Sequence, residues 1–225
     1  MADRSRNDSD ERVTALAQDF TKALLSGDEL GADVVIRRAI EAELSQAEIS
    51  EQLIAPALWL IGDLWQRGEI TVADEHLATE ITLRVLALEQ ESRRVREQRK
   101  GYRVLLATPS GEHHVVALRM LAGLLLNAGY DAMMLGPDVP AESLAGAARR
   151  HGADVVCLSV TMPGGADRAL LALYEVQQSV PSTGFVIGGR GLTSRVPVRP
   201  GIEVCHQVSD GVRAVDAIVN RAGLN

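Results

Sequence analysis

The run Tyr102-Arg103-Val104-Leu105-Leu106-Ala107-Thr108, closed by Pro109, Ser110 and Gly111, decides how the chain folds. It is a short, almost continuously apolar segment bounded by turn formers, the pattern of a strand buried on both faces. The same strand–loop–helix alternation repeats downstream. Residues 130–135, 154–160, 184–189 and 203–208 are predicted strands, and helices are expected over about 113–127, 141–150, 166–179 and 210–222. Buried strands alternating with helices imply a parallel sheet covered on both sides, a doubly wound α/β domain over 101–225. Such sheets take ligands beyond the carboxyl ends of their strands, where the strand order reverses.

Upstream of Gly101 the apolar spacing is helical. Residues 1–10 are polar and charged and are expected to form a disordered tail. Over 11–99, Val13, Leu16, Ala17, Phe20, Ala23 and Leu24 form one stripe, and Gly27 ends it. A second helix is expected over 30–44, with Val34, Val35, Ile36 and Ile40 inward. Ser45 and Glu48 make a capping box for a third, to about Gln66, and a fourth spans about 72–99. Four helices with short connections imply a bundle.

Composition narrows the function. The formal charge of −7 argues against a nucleic-acid surface, which needs clustered Lys and Arg. No apolar run reaches membrane-spanning length and the first residues lack a signal-peptide core, so a cytoplasmic protein is expected. Cys157 and Cys205 lie in apolar runs and show no zinc-ligand spacing.

The ligand loop of the α/β half reads Thr108-Pro109-Ser110-Gly111-Glu112-His113-His114-Val115-Val116-Ala117. A neutral imidazole on such a loop can give a nitrogen lone pair to a metal. A carboxylate two residues earlier can accept the proton of the other ring nitrogen, which fixes the tautomer. Read alone, the same residues also suit an idle helix N-terminus. Gly188-Gly189 after the fourth strand suits close ligand approach or a tight turn.

Together these pieces resemble the cobalamin-binding Rossmann-like domains, whose pattern is Asp-x-His-x-x-Gly, then Ser-x-Leu or Ser-x-Thr, then Gly-Gly. Here Glu112-x-His114-x-x-Ala117 is followed after 41 residues by Ser159-Val160-Thr161, and after 26 more by Gly188-Gly189. The resemblance implies that His114 is the lower axial ligand of cobalt, supported by Glu112. It implies that Ser159, Thr161, Gly188 and Gly189 line a slot for the dimethylbenzimidazole tail. Gly136, Pro137 and Asp138 also match the family. Glu for Asp and Ala117 for Gly are departures, the second adding a methyl near the tail.

The helical half is similar to that of CarH-type photoreceptors, in which a Trp, followed after nine residues by Glu-His, covers the upper corrin face. Trp65 and Glu75-His76 have that spacing, while Gln66 replaces a His that can take cobalt after photolysis. That role passes to His76 or His113, or to water. The implied architecture is a four-helix bundle followed by a Rossmann-like (flavodoxin-like) five-stranded parallel sheet domain. The implied cofactor is adenosylcobalamin, with biliverdin as a candidate second chromophore by similarity to photocobilins. The implied role is light sensing without a DNA-binding domain, signalling through self-association or a separate effector protein. A corrinoid methyl carrier of a methyltransferase system is the alternative.

Overall fold

The structure, a computed structural model, describes residues 2–92, 99–192 and 201–222, with side chains for 11–90, 99–192 and 201–222. The chain divides into two compact units, Met1–Arg93 and Arg94–Asn225.

The first unit is helical: α1 (Ala2–Leu25), α2 (Glu29–Glu41), α3 (Gln46–Glu48), a π-helical turn (Ile49–Ile54), α4 (Ala55–Gln66) and α5 (Val72–Ser92). Residues 2–10, expected to be disordered, continue α1. No glycine or proline interrupts the sequence before Leu25, so a helix anchored by buried Leu16, Phe20 and Leu24 propagates back towards the N-terminus. Of the expected last helix, residues 93–98 lie outside the described residues, and Arg99 is not helical.

Ser45 and Glu48 form the capping box in both directions. The helical run they start continues to Gln66, with one π turn inside it. Pro56 explains that turn: it lacks an N–H, and its ring would crowd the carbonyl four residues back. The N–H of Ala55 reaches back to the carbonyl of Ser50 instead. On α2 the inward face is Ala32, Val35, Ile36 and Ala39. Val34, expected inward, is 53% exposed, because the helical repeat turns it away from its buried neighbours.

The second unit is a five-stranded sheet, β1 (Arg103–Pro109), β2 (Asp131–Val139), β3 (Val155–Ser159), β4 (Gly184–Gly188) and β5 (Ile202–Cys205), in the order β2-β1-β3-β4-β5. All four pairings are parallel. Successive strand residues face opposite sides. Leu105, Val156, Leu158 and Ile187 pack under α7 (Ala141–His151) and α8 (Gly165–Ser179). Val104, Leu106, Cys157 and Val186 pack under α6 (Val116–Asn127) and α9 (Val208–Ala222).

This is the α/β arrangement expected from the sequence, with the order reversing at β1 and β3. Several boundaries differ, and α6 starts at Val116 rather than at about 113. β2 runs on through Gly136-Pro137-Asp138, and β5 stops at Cys205. Gln207 donates its N–H to Asp210, a start signal that gives residues from Val208 onward to α9.

Candidate functional site

The β1–α6 loop lies at the carboxyl end of β1, next to β3 and so at the reversal point. α6 begins only at Val116, so Glu112, His113 and His114 belong to the loop and not to a helical turn. The Glu112 side chain is fully buried. One carboxylate oxygen, Oε2, accepts the N–H groups of Thr161 at 2.7 Å and Met162 at 2.8 Å, both just past β3. The other, Oε1, meets His114 Nδ1 at 2.5 Å and accepts the His114 backbone N–H at 3.1 Å. His114 keeps 46% of its side chain exposed.

Burial alone would raise the Glu112 carboxyl. The bond to His114 and the N–H groups of Met162, His114 and Thr161 outweigh it and bring the pKa down from 4.5 to about 2. The carboxylate is therefore a fixed negative charge that holds the proton on His114 Nδ1. The lone pair then sits on Nε2, the arrangement a metal-binding histidine needs.

Ser159 ends β3, and its Oγ is buried with no hydrogen-bond partner among the described residues. Thr161 is half-buried and reaches Glu112 through its backbone. Gly188 and Gly189 follow along β4. A Cβ on Gly189 would stand 2.1 Å from the carbonyl oxygen of Val160, and one on Gly191 would stand 2.5 Å from that of Met162. These glycines let the β4 loop lie against the loop whose N–H groups hold Glu112. The first duty of Gly189 is thus a backbone contact within the protein. Gly136 has open space where a Cβ would be. Ala117 is half-buried in the first turn of α6, and His113 is exposed.

In the helical unit, Trp65 stands near the end of α4 and is 40% exposed. Glu75 and His76 open α5. Oε2 of Glu75 meets His76 Nδ1 at 2.6 Å, and its Oε1 accepts the Thr79 hydroxyl at 3.1 Å. Thr71 and Asp74 cap this helix reciprocally, a T-x-x-D signal that the sequence carries.

The sheet unit thus brings Glu112, His114, Thr161 and Asp138 together, and the helical unit joins Glu75 to His76. Three participants escape the sequence reading. Thr108 has its hydroxyl on the Glu112 carbonyl, Met162 acts through its N–H, and Gly191 acts through its N–H on the Val160 carbonyl and through lacking a side chain. Gly191 alone left a trace, in the Gly-Gly-Arg-Gly run at 188–191.

A nitrogen ligand of fixed tautomer, an orphaned hydroxyl and small residues at the strand ends suit a corrin with a nucleotide tail. The sequence matches the B12 binding domain over residues 16–89, and a second B12 binding domain over 102–205. Together these matches span most of the chain, which belongs to the family of B12-binding proteins with a helical unit and a Rossmann-like unit.

Among its relatives is a corrinoid protein of Desulfitobacterium hafniense (strain Y51), 23% identical over 82% of this chain and 87% of that protein. Another is the HTH-type transcriptional repressor CarH of Myxococcus xanthus, 30% identical over 62% of this chain and 46% of the repressor. The chain therefore spans less than half of CarH. The fold is similar to that of the Methanosarcina barkeri monomethylamine corrinoid protein, with a TM-score of 0.75 and 14% identity over 88% of this chain and 96% of that one. No helix among the described residues is long and apolar enough to cross a membrane.

Proposed function

We propose that this B12-binding chain holds cobalamin with His114 as the lower axial ligand of cobalt, and that it works as a light-sensing regulatory module. The observation that carries the cobalt assignment is the Glu112–His114 pair. A buried carboxylate anchored by three backbone N–H groups orients a half-exposed imidazole and fixes its tautomer. Ser159, Thr161, Gly188 and Gly189 would line the tail, with the Ser159 hydroxyl supplying a hydrogen-bonding partner.

Trp65 would cover the upper face with a flat apolar ring, and Glu75 and His76 would hold the hydroxyls of an adenosyl group. When bound, cobalamin supplies a cobalt–carbon bond that light breaks in the adenosyl form and that releases its alkyl group to acceptors in the methyl form. Light sensing is supported by the Trp65…Glu75-His76 set and by the 30% identity to CarH. A regulatory output would be a change of self-association or of the surface offered to an effector.

A methyl carrier serving a methyltransferase is the second reading. It is favoured by the corrinoid-protein relative that aligns along 87% of its length with no further region left over on the scale of CarH's. One experiment separates the two. The protein is prepared in the dark with adenosylcobalamin, and its absorption and oligomeric state are followed on illumination. A spectral change accompanied by a change of size or shape supports sensing. Light-independent methyl transfer from methylcobalamin to a thiol or folate, with no light-driven change, contradicts it. Biliverdin added in the same preparation reports a second chromophore by its long-wavelength band.

A further inference from the structure

The loop that carries Glu112 and His114 has no helix or strand of its own, so something outside it must set its shape. Asp138, at the end of β2, touches it at several points. Its Oδ1 accepts the Gly111 N–H at 2.7 Å. Its own N–H lies 3.0 Å from both the Glu112 carbonyl and the Thr108 hydroxyl. That hydroxyl in turn donates to the Glu112 carbonyl, so Thr108 and Asp138 hold the same oxygen from two sides.

Two features of β2 aim Asp138 there. Between the pairs Ala107–Gly136 and Pro109–Val139, β1 advances two residues while β2 advances three. That extra residue is a bulge, the device that re-aims a strand residue. Asp138 also has φ +54, which non-glycine residues adopt only where their surroundings fix it and which Asp tolerates better than most.

We infer that Asp138 is a positioning residue that sets the Glu112–His114 loop for cobalt ligation. The loop-setting stands on contacts within the protein, and its purpose rests on the cobalamin reading above. This differs from the contact with the cofactor that the sequence pattern suggests for Asp138. A residue that only touched the cofactor would leave the cofactor-free loop unchanged.

The test uses Asp138→Gly, which keeps the left-handed backbone and removes the carboxylate, and Asp138→Asn, which keeps an acceptor oxygen. Amide hydrogen exchange is measured at Glu112 and His114 in the cofactor-free protein, and affinity is measured for cob(II)alamin. The expected result is faster exchange at both amides in Asp138→Gly, affinity lower by on the order of tenfold, and recovery of both in Asp138→Asn. Thr108→Val, which removes the shared hydroxyl at nearly constant volume, should repeat the exchange effect and stands in if Asp138→Gly does not fold. Unchanged exchange at Glu112 and His114 in the folded variants overturns the inference, whatever the affinity does. Faster exchange beside a wild-type protein that binds no cob(II)alamin upholds the loop-setting and overturns the cobalamin reading instead.

Discussion

At Glu112 the chain keeps a carboxylate charged where burial would neutralise it, and four donors explain how. Its folded pKa of about 2 lies below its ordinary 4.5. The stability this contributes is therefore complete above pH 4.5 and is lost as the pH falls through about 2. At 1.36 kcal/mol per unit the contribution is about 3 kcal/mol. Acid unfolding of the cofactor-free protein should show that loss in wild type, whereas Glu112→Gln should be less stable at neutral pH and flatter across the same window. Parallel acid profiles would contradict the assignment. Ser159 makes the opposite trade. Its orphaned hydroxyl costs the cofactor-free protein stability. Ser159→Ala should raise its melting temperature, with a gain of up to about 1 kcal/mol, and weaken cobalamin binding. A variant that melts lower and binds as well would rule out a role in the tail slot.

Among elements, the β3 and β4 loops matter most, because they seat the carboxylate. Gly189 and Gly191 allow the one loop to lie on the other, and no side chain can do so. Gly189→Ala meets both its φ of +112 and the Val160 carbonyl, so it should cost more than about 3 kcal/mol or abolish folding. Gly136→Ala has positive φ but open space, so about 1–2 kcal/mol is expected in denaturant unfolding. Equal costs would show that the stacking of the loops is not what demands Gly189. Apolar runs and turn residues made every strand legible in the sequence, and Ser45 with Glu48 made a helix start legible. The ends of β2 and β5 were not, since a bulge and the Gln207–Asp210 cap depend on partners brought near only by folding. For the same reason the pattern yields Glu112 and His114 by type and spacing but not Thr108, nor the N–H of Met162, whose side chain carries no signal.

For the molecule as a whole, the chain divides into two units, each with its own buried apolar residues, and the proposed reading assigns residues in both. On the proposed reading, the helical half governs the choice between sensor and carrier. Trp65→Ala should reduce the preference for adenosylcobalamin over methylcobalamin by several-fold, given the roughly 1–3 kcal/mol that a buried aromatic contact is worth. Equal preference in wild type and variant would remove Trp65 from the upper face. The fold class was readable from the sequence, because strand–helix alternation survives shifts in boundaries, whereas the helix over residues 2–10 was not. The proposed light-driven output is not readable in the same way, because it would depend on a cofactor state and a partner that a single chain does not encode. Beneath either output lies the proposed bond from His114 to cobalt. Electron paramagnetic resonance of the cob(II)alamin complex, with the protein's histidines labelled with nitrogen-15 and the corrin unlabelled, tests it most directly. The cobalt lines should be split as doublets by one nitrogen-15 nucleus and lose that splitting in His114→Ala. Triplets that persist in labelled wild-type protein, or doublets that survive His114→Ala, would contradict it.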